Sequence, residues 1–259
     1  MLKFFRVFIL LLLLAGVALG AWRAKTRSVE WNYTLPVNIY PVNADASAVS
    51  AEYLRNLKLA DLKPIETFMK DEAVRYGRDT RASIEIRMHG EIVNLPPEPP
   101  HSANPLEAIW WSLQIRWWSY RNGEITGPGP QVKLFLLYYD PARYGRLGHS
   151  TGLQKGLLGR VNLYASRDME SQNNVVITHE FLHTLGASDK YELASNLPKY
   201  PEGYAIPEQM PRFPQQYAEI MAGRIPLSES TAEIPASLNE TMIGVKTARE
   251  INWLQTDKE

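Results

Sequence analysis

The hydrophobic pattern changes period several times along the chain, and each change marks an element. An unbroken apolar run, Val7 to Ala21, comes first. Leu35 to Val42 reads as a strand interrupted by Pro36 and Pro41. Proline cannot donate to a ladder, so an edge or first strand is expected there. Ala46 to Tyr76 is helical in pattern, with Leu54, Leu57, Leu62, Ile65, Phe68 and Met69 as core candidates. Pro64 is expected to start a second helical segment or to kink the first. Ser83 to Met88 alternates Ile84 and Ile86 with charged residues, as a half-buried strand does. Asn94 to Pro105 is proline-rich and reads as a loop, and Pro105 is well placed to open a helix running to about Tyr120. That helix carries Trp110, Trp111, Trp117 and Trp118. A membrane-surface or sugar-binding platform is conceivable, but core packing is the expectation, because large aromatics dominate core burial. Val132 to Tyr139 is nearly all apolar and should be a central strand. Gly145 to Gly152 reads as a solvent-exposed, glycine-spaced loop, and Val161 to Ala165 as a short strand. Ile177, Phe181 and Leu185 then recur at helical spacing. Beyond Asp189 the prolines from Pro198 to Pro235 punctuate an irregular region that ends in a helix near Thr247 to Leu254. The order of elements suits a layered fold in which one helix packs on a twisted sheet.

Composition narrows the function classes. The chain has 259 residues, enough for one substantial domain or two small ones. Lys plus Arg and Asp plus Glu are both 28, and no basic stretch stands out in the body, which argues against a nucleic-acid partner. There is no cysteine, so disulfides, thiolate metal sites and thiol nucleophiles are excluded. No Gly-x-Ser-x-Gly elbow supports a serine hydrolase.

The N-terminal run implies export. Lys3 and Arg6 precede it, and at roughly 15 residues it is short for a membrane span but suits a signal-peptide core. Ala18, Leu19 and Gly20 provide small residues before a cleavage point at Ala21. The rival reading is a retained anchor, with Trp22 at the membrane interface and Arg23, Lys25 and Arg27 beyond it. The protein is therefore expected to be periplasmic, secreted or attached to a membrane through its N-terminus.

The chemistry concentrates in His179-Glu180-Phe181-Leu182-His183, which reads H-E-x-x-H. Residues four apart share a helix face, so both imidazoles can address one metal ion. Glu180 is turned about 100° from His179 and stands beside the metal, where a general base for a metal-activated water belongs. Ile177, Phe181 and Leu185 lie opposite the histidines and would bury the other face. Asn173 or Ser171 could cap the helix start. Gly186 suits a left-handed C-terminal turn, after which Asp189 can come back to the metal. Two histidines and a carboxylate leave a fourth position open, as a catalytic zinc site needs. Glu192, Glu202, Glu208 and Glu219 are rival carboxylates downstream. Tyr191, Tyr204, Tyr217 and His149 are candidate donors to an oxyanion.

His179, Glu180, His183, Gly186 and Asp189 together resemble the extended H-E-x-x-H-x-x-G-x-x-D signature of the snapalysin-like metzincin zinc peptidases. The resemblance implies Zn2+ held by His179, His183 and Asp189, with Glu180 as the catalytic base. It also implies a methionine turn beneath the metal, for which Met221 in Ala218 to Gly223 is the candidate. The implied fold is α+β: a twisted mixed sheet with an active-site helix, plus a proline-rich irregular C-terminal subdomain. The implied organisation is 1–21 signal peptide or anchor, 22–30 linker and 31–259 zinc peptidase domain, divided into 31–186 and 187–259. The implied substrate is a peptide or protein. A binding or scaffold protein on the same fold, or a zinc amidase acting on a non-protein amide, is the alternative.

Overall fold

A computed structural model describes residues 7–8, 28–78, 83–100, 104–124, 129–154 and 156–254. The signal or anchor reading of 1–21 and most of the 22–30 linker therefore fall outside the described residues. Among the described residues, no helix is long and apolar enough to cross a membrane.

A five-stranded mixed sheet organises the molecule. Its strands are β1 (Leu35–Asn43), β2 (Ile84–Met88), β3 (Val132–Tyr139), β4 (Thr151–Leu153) and β5 (Leu158–Tyr164), in the order β2-β1-β3-β5-β4. All neighbours run parallel except β4, which pairs antiparallel with β5. The helices are α1 (Ala48–Asn56), α2 (Leu59–Arg75), α3 (Pro105–Asn122), α4 (Glu170–Leu185) and α5 (Val245–Glu250). The fold is mixed α+β.

β1 is the first strand of the chain, one of the two places its prolines suggest, but it is not an edge strand. It lies between β2 and β3. Backbone parity explains why both prolines are tolerated. Leu35, Ile39 and Pro41 turn their polar groups toward β2, since Leu35 N donates to Ser83 O, and the carbonyls of Ile39 and Pro41 accept from His89 and Ile92. Pro41 lies beyond the last β1–β2 pair, Ile39 with Met88. Pro36 has the opposite parity and faces β3, whose pairing begins one residue later, at Val37 with Val132. Each missing N–H thus points past the end of a neighbouring strand, where no ladder bond is lost.

The helical stretch breaks at Leu57 and Lys58, not at Pro64, which sits inside α2. Lys58 and Asp61 close the N-terminal turn of α2 through the Asp61 carboxylate. On one sheet face, Val37, Ile39, Leu134, Leu136, Val161 and Leu163 form a core with α2 and α4. On the other face, Tyr40, Val42, Phe135 and Leu137 pack under Trp118 of α3. The tryptophans do not all enter the core: Trp111 is buried and Trp118 partly so, whereas Trp110 and Trp117 are exposed.

Among the described residues, the chain beyond α4 carries two short ladders, β6 (Ala218–Glu219) with β9 (Thr241–Met242) and β7 (Ile225–Pro226) with β8 (Ala232–Glu233), and isolated bridges. Its apolar residues Ile220, Met221, Ile243, Ile251 and Trp253 belong to the same core as α2 and α4. Trp31 near the start of the described body donates to Ile251 O at 2.7 Å and lies 5.4 Å from the Trp253 ring. The C-terminal helix is α5, shorter and earlier than the periodicity predicts.

Candidate metal centre

The motif helix α4 follows β5 after a short turn and packs across the sheet. Neither Ser171 nor Asn173 caps it. Met169 occupies the cap position without a side-chain bond, and Asn173 instead ties α4 to β5 through Tyr164 N and O. Ile177, Phe181 and Leu185 are buried, as the stripe demands. Gly186 ends the helix at φ 108°, a left-handed conformation that costs glycine little.

The described structure brings His179, His183 and Asp189 together. The two Nε2 atoms are 3.1 Å apart, and Asp189 Oδ1 lies 3.2 Å from each. Both rings are oriented through their other nitrogen. His179 Nδ1 is 2.9 Å from Ile220 O, and His183 Nδ1 is 2.8 Å from Ala187 O. A carbonyl can only accept, so each Nδ1 carries a proton and each Nε2 turns inward. Donor atoms of His179, Glu180 and His183 also lie within 4.8 Å of one another, a group that could hold a metal ion. Two three-donor sets therefore share the histidines, one completed by Glu180 and one by Asp189. The Asp189 set is the tighter.

Electrostatics follow from this crowding. Burial disfavours a charged His179 ring, but the hydrogen bond to Asp189 and the negative charge of Glu180 prevail, and its pKa is pushed up to about 9. Burial also works against a charged Asp189, yet the two imidazoles hold its carboxyl well below the usual carboxylate range. Burial pushes the Glu180 carboxyl up, only partly offset by the imidazoles. Glu180 Oε2 is buried with no hydrogen-bond partner among the described residues.

The segment around Met221 forms a turn against this cluster. Met221 is fully buried, and its N–H donates to Glu219 Oε2 at 2.7 Å. Its carbonyl accepts from Lys190, next to Asp189, while the preceding Ile220 carbonyl meets His179. The turn is thus bonded to both the helix and the Asp189 loop. Glu219 does not approach the histidines' inward nitrogens. Its oxygens accept from Met221 N, Ala222 N, Gly244 N and Thr247 Oγ1. Glu192 bonds Ser195, and Glu202 lies 3.6 Å from Lys246.

A cleft of about 410 Å³ opens beside the cluster, with His149, Tyr164, Val176, His179, Glu180 and Ile234 among its lining residues. Sequence reasoning treats Gly145 to Gly152 as loop only and misses β4 at its end. Gly152 there lies against α4 so closely that a Cβ would stand 2.4 Å from Glu180 O and 2.5 Å from His183 Cβ. The spacing of glycines was the only signal available for that contact. Tyr191 feels the charges of Asp189 and Glu180, which add to burial in raising its phenol pKa. Tyr204 packs instead with Tyr200 and Phe213.

No protein-family model and no curated protein matches the chain. Among solved structures, similarity is found to OgpA from Akkermansia muciniphila, at 12% identity and a TM-score of 0.38. The match covers 83% of this chain and 58% of that one. So distant a likeness carries no functional argument, and the chain spans under two thirds of that protein. What can be said of function rests on the centre itself.

Proposed function

We propose that this chain is an exported zinc-dependent peptidase, with His179, His183 and Asp189 as ligands and Glu180 as general base. One observation carries the reading: three electron-pair donors converge within 3.2 Å of one another. The Nδ1–H of each ring is committed to a backbone carbonyl, so both Nε2 atoms and the Asp189 oxygen face a common point that favours a cation, whether a metal ion or a proton on His179. The raised His179 pKa expresses the same demand for positive charge. Two imidazoles and one carboxylate are a donor set that zinc accepts while keeping a position open, and carbonyl-anchored imidazoles are its usual support.

Zinc bound at that point would polarise a substrate carbonyl and lower the pKa of a water. The remaining work belongs to the chain. Glu180 lines the cleft with a buried, unpartnered Oε2. That oxygen takes a proton from the attacking water and delivers it to the leaving amine. Burial pushes the Glu180 carboxyl above its ordinary value, the direction that suits a group that must both accept and release a proton. Tyr191 stays protonated and can donate to the developing oxyanion. Gly152 lets β4 lie against the helix beside the cleft. Metal analysis of the purified protein, followed by a peptide-library digest with and without chelator, tests the reading. The expected result is about one zinc per chain and cleavage that chelator abolishes and zinc restores. Cleavage indifferent to chelator, or a zinc-loaded protein that cleaves nothing in the library, would refute it.

A further inference from the structure

α3 has two apolar faces where a surface helix needs one. At about 100° per residue, Trp111, Ile115 and Trp118 share one side. That side packs inward: Trp111 and Ile115 meet Leu158, and Trp118 stands edge-on to Phe135 at 4.7 Å. Leu106, Ile109, Trp110, Leu113, Trp117 and Tyr120 fall on the opposite side, within an arc of roughly 100°. Each of these six is at least 53% exposed. Single exposed apolar residues are ordinary, but a continuous stripe of large ones marks an interaction surface.

Two features select its occupant. The first is composition. Two tryptophans and a tyrosine stand among leucine and isoleucine, with the Arg121 guanidinium 5.9 Å from the Trp117 ring. Rings with an apolar body and a polar edge, beside a cation, settle at the headgroup level of a bilayer. The second is the tether. Six residues separate Ala21, the end of the N-terminal apolar run, from Ser28, where the described body begins. Six extended residues reach only roughly 20 Å, so a run engaged with a membrane would hold the body against it. The chain enters β1 at Leu35, and α3 leads into β3 at Val132. Those strands pair in parallel, so the tether and the C-terminal end of α3 lie at the same end of the sheet. We propose that the outer face of α3 docks on the surface of a phospholipid bilayer. The proposal is independent of the metal centre and rests on the export part of the proposed function.

The chain has no cysteine, so a Leu113→Cys variant of the full chain takes a single environment-sensitive fluorophore at the middle of the face. Val74→Cys, exposed on α2 across the sheet, serves as control, and Ile109→Cys as a second probe of the same stripe. The probes are vesicles of phosphatidylcholine and phosphatidylglycerol containing brominated lipid. The expected result is a blue shift at Leu113 and Ile109, with quenching several-fold greater than at Val74. Equal quenching at all three positions, or none at the α3 positions while the protein sediments with vesicles, would overturn the proposal, because the body would then be tethered without docking. A blue shift that needs no vesicles and grows with protein concentration would overturn it too, and would assign the face to a second copy of the chain.

Discussion

Asp189 and Glu219 are both carboxylates downstream of the motif helix, and both meet the chemical requirement for a third ligand. Their surroundings separate them. Asp189 presents one oxygen to two imidazole nitrogens at 3.2 Å. Glu219 is completely buried, and its two oxygens are taken up by three backbone N–H groups and the Thr247 hydroxyl. One carboxylate has lone pairs left to offer an ion. The other has used them to join the Met221 turn to the start of α5. A carboxylate's availability, more than its identity, decides whether it can bind a metal, and availability depends on which donors the fold brings to it.

The sharpest test of this division uses the third carboxylate, Glu180, whose buried oxygen is unpartnered. Glu180→Gln keeps the shape but cannot take a proton. Turnover should fall by about a hundred- to ten-thousandfold, while zinc content and melting temperature stay at wild-type levels. Wild-type turnover on a chelator-sensitive substrate would remove Glu180 from the mechanism.

Next in size is Glu219→Ala. Losing the carboxylate leaves the Met221 and Gly244 amides and the Thr247 hydroxyl without their acceptor in a buried place, and stability should drop by on the order of 3 kcal/mol. Denaturant unfolding measures it. An unchanged midpoint would mean that Glu219 is not structural, and the comparison with Asp189 would collapse.

Asp189→Asn should do the reverse. Zinc affinity, read by competition with a chromophoric chelator, should fall by about a hundredfold, the upper end of what a supporting residue alone costs. Unfolding in the presence of chelator should shift less than in Glu219→Ala, since only the Asp189 contact with the imidazoles is lost. If affinity survives and Glu180→Gln lowers it instead, the alternative donor set with Glu180 is the ligand set.

The smallest effect concerns Asp61, a carboxylate at the protein's edge. Its partial burial would raise its pKa, but the Arg167 guanidinium at 2.8 Å and the Lys58 amide bring it below the ordinary carboxylate value. A depressed folded-state pKa contributes stability that is present above the unfolded value and lost as pH falls through the folded one. Wild type should therefore lose stability below about pH 4 more steeply than Asp61→Asn. Parallel acid-unfolding curves would show that this pair contributes nothing.

Local features were legible in the sequence. The two histidines share a face because a helix repeats every 3.6 residues, and Gly186 marks the helix end because the left-handed turn suits glycine. The central strand β3 was readable from its apolar run. β4 was not, because three residues containing a glycine carry no alternation to read. That β1 is first in the chain was readable, but its interior place in the sheet was not, because where proline's missing donor falls depends on how far each neighbouring strand extends. Trp111 and Trp118 pack as read, but Trp110 and Trp117 do not, because a helix with two apolar faces gives no sign of which one the sheet will cover.

By itself, the sequence determined what repeats over a few residues: the helix that carries His179, Glu180 and His183, the turn at Gly186 that brings the chain back toward Asp189, and the absence of any thiol. Only the tertiary structure decided which carboxylate meets the imidazoles, which carbonyls anchor them, and which face of α3 stays exposed. Those outcomes depend on contacts between residues far apart in the chain, such as Ile220 with His179 and Gly244 with Glu219. No period or spacing in a linear sequence records where distant backbone groups will lie once the core has closed around them.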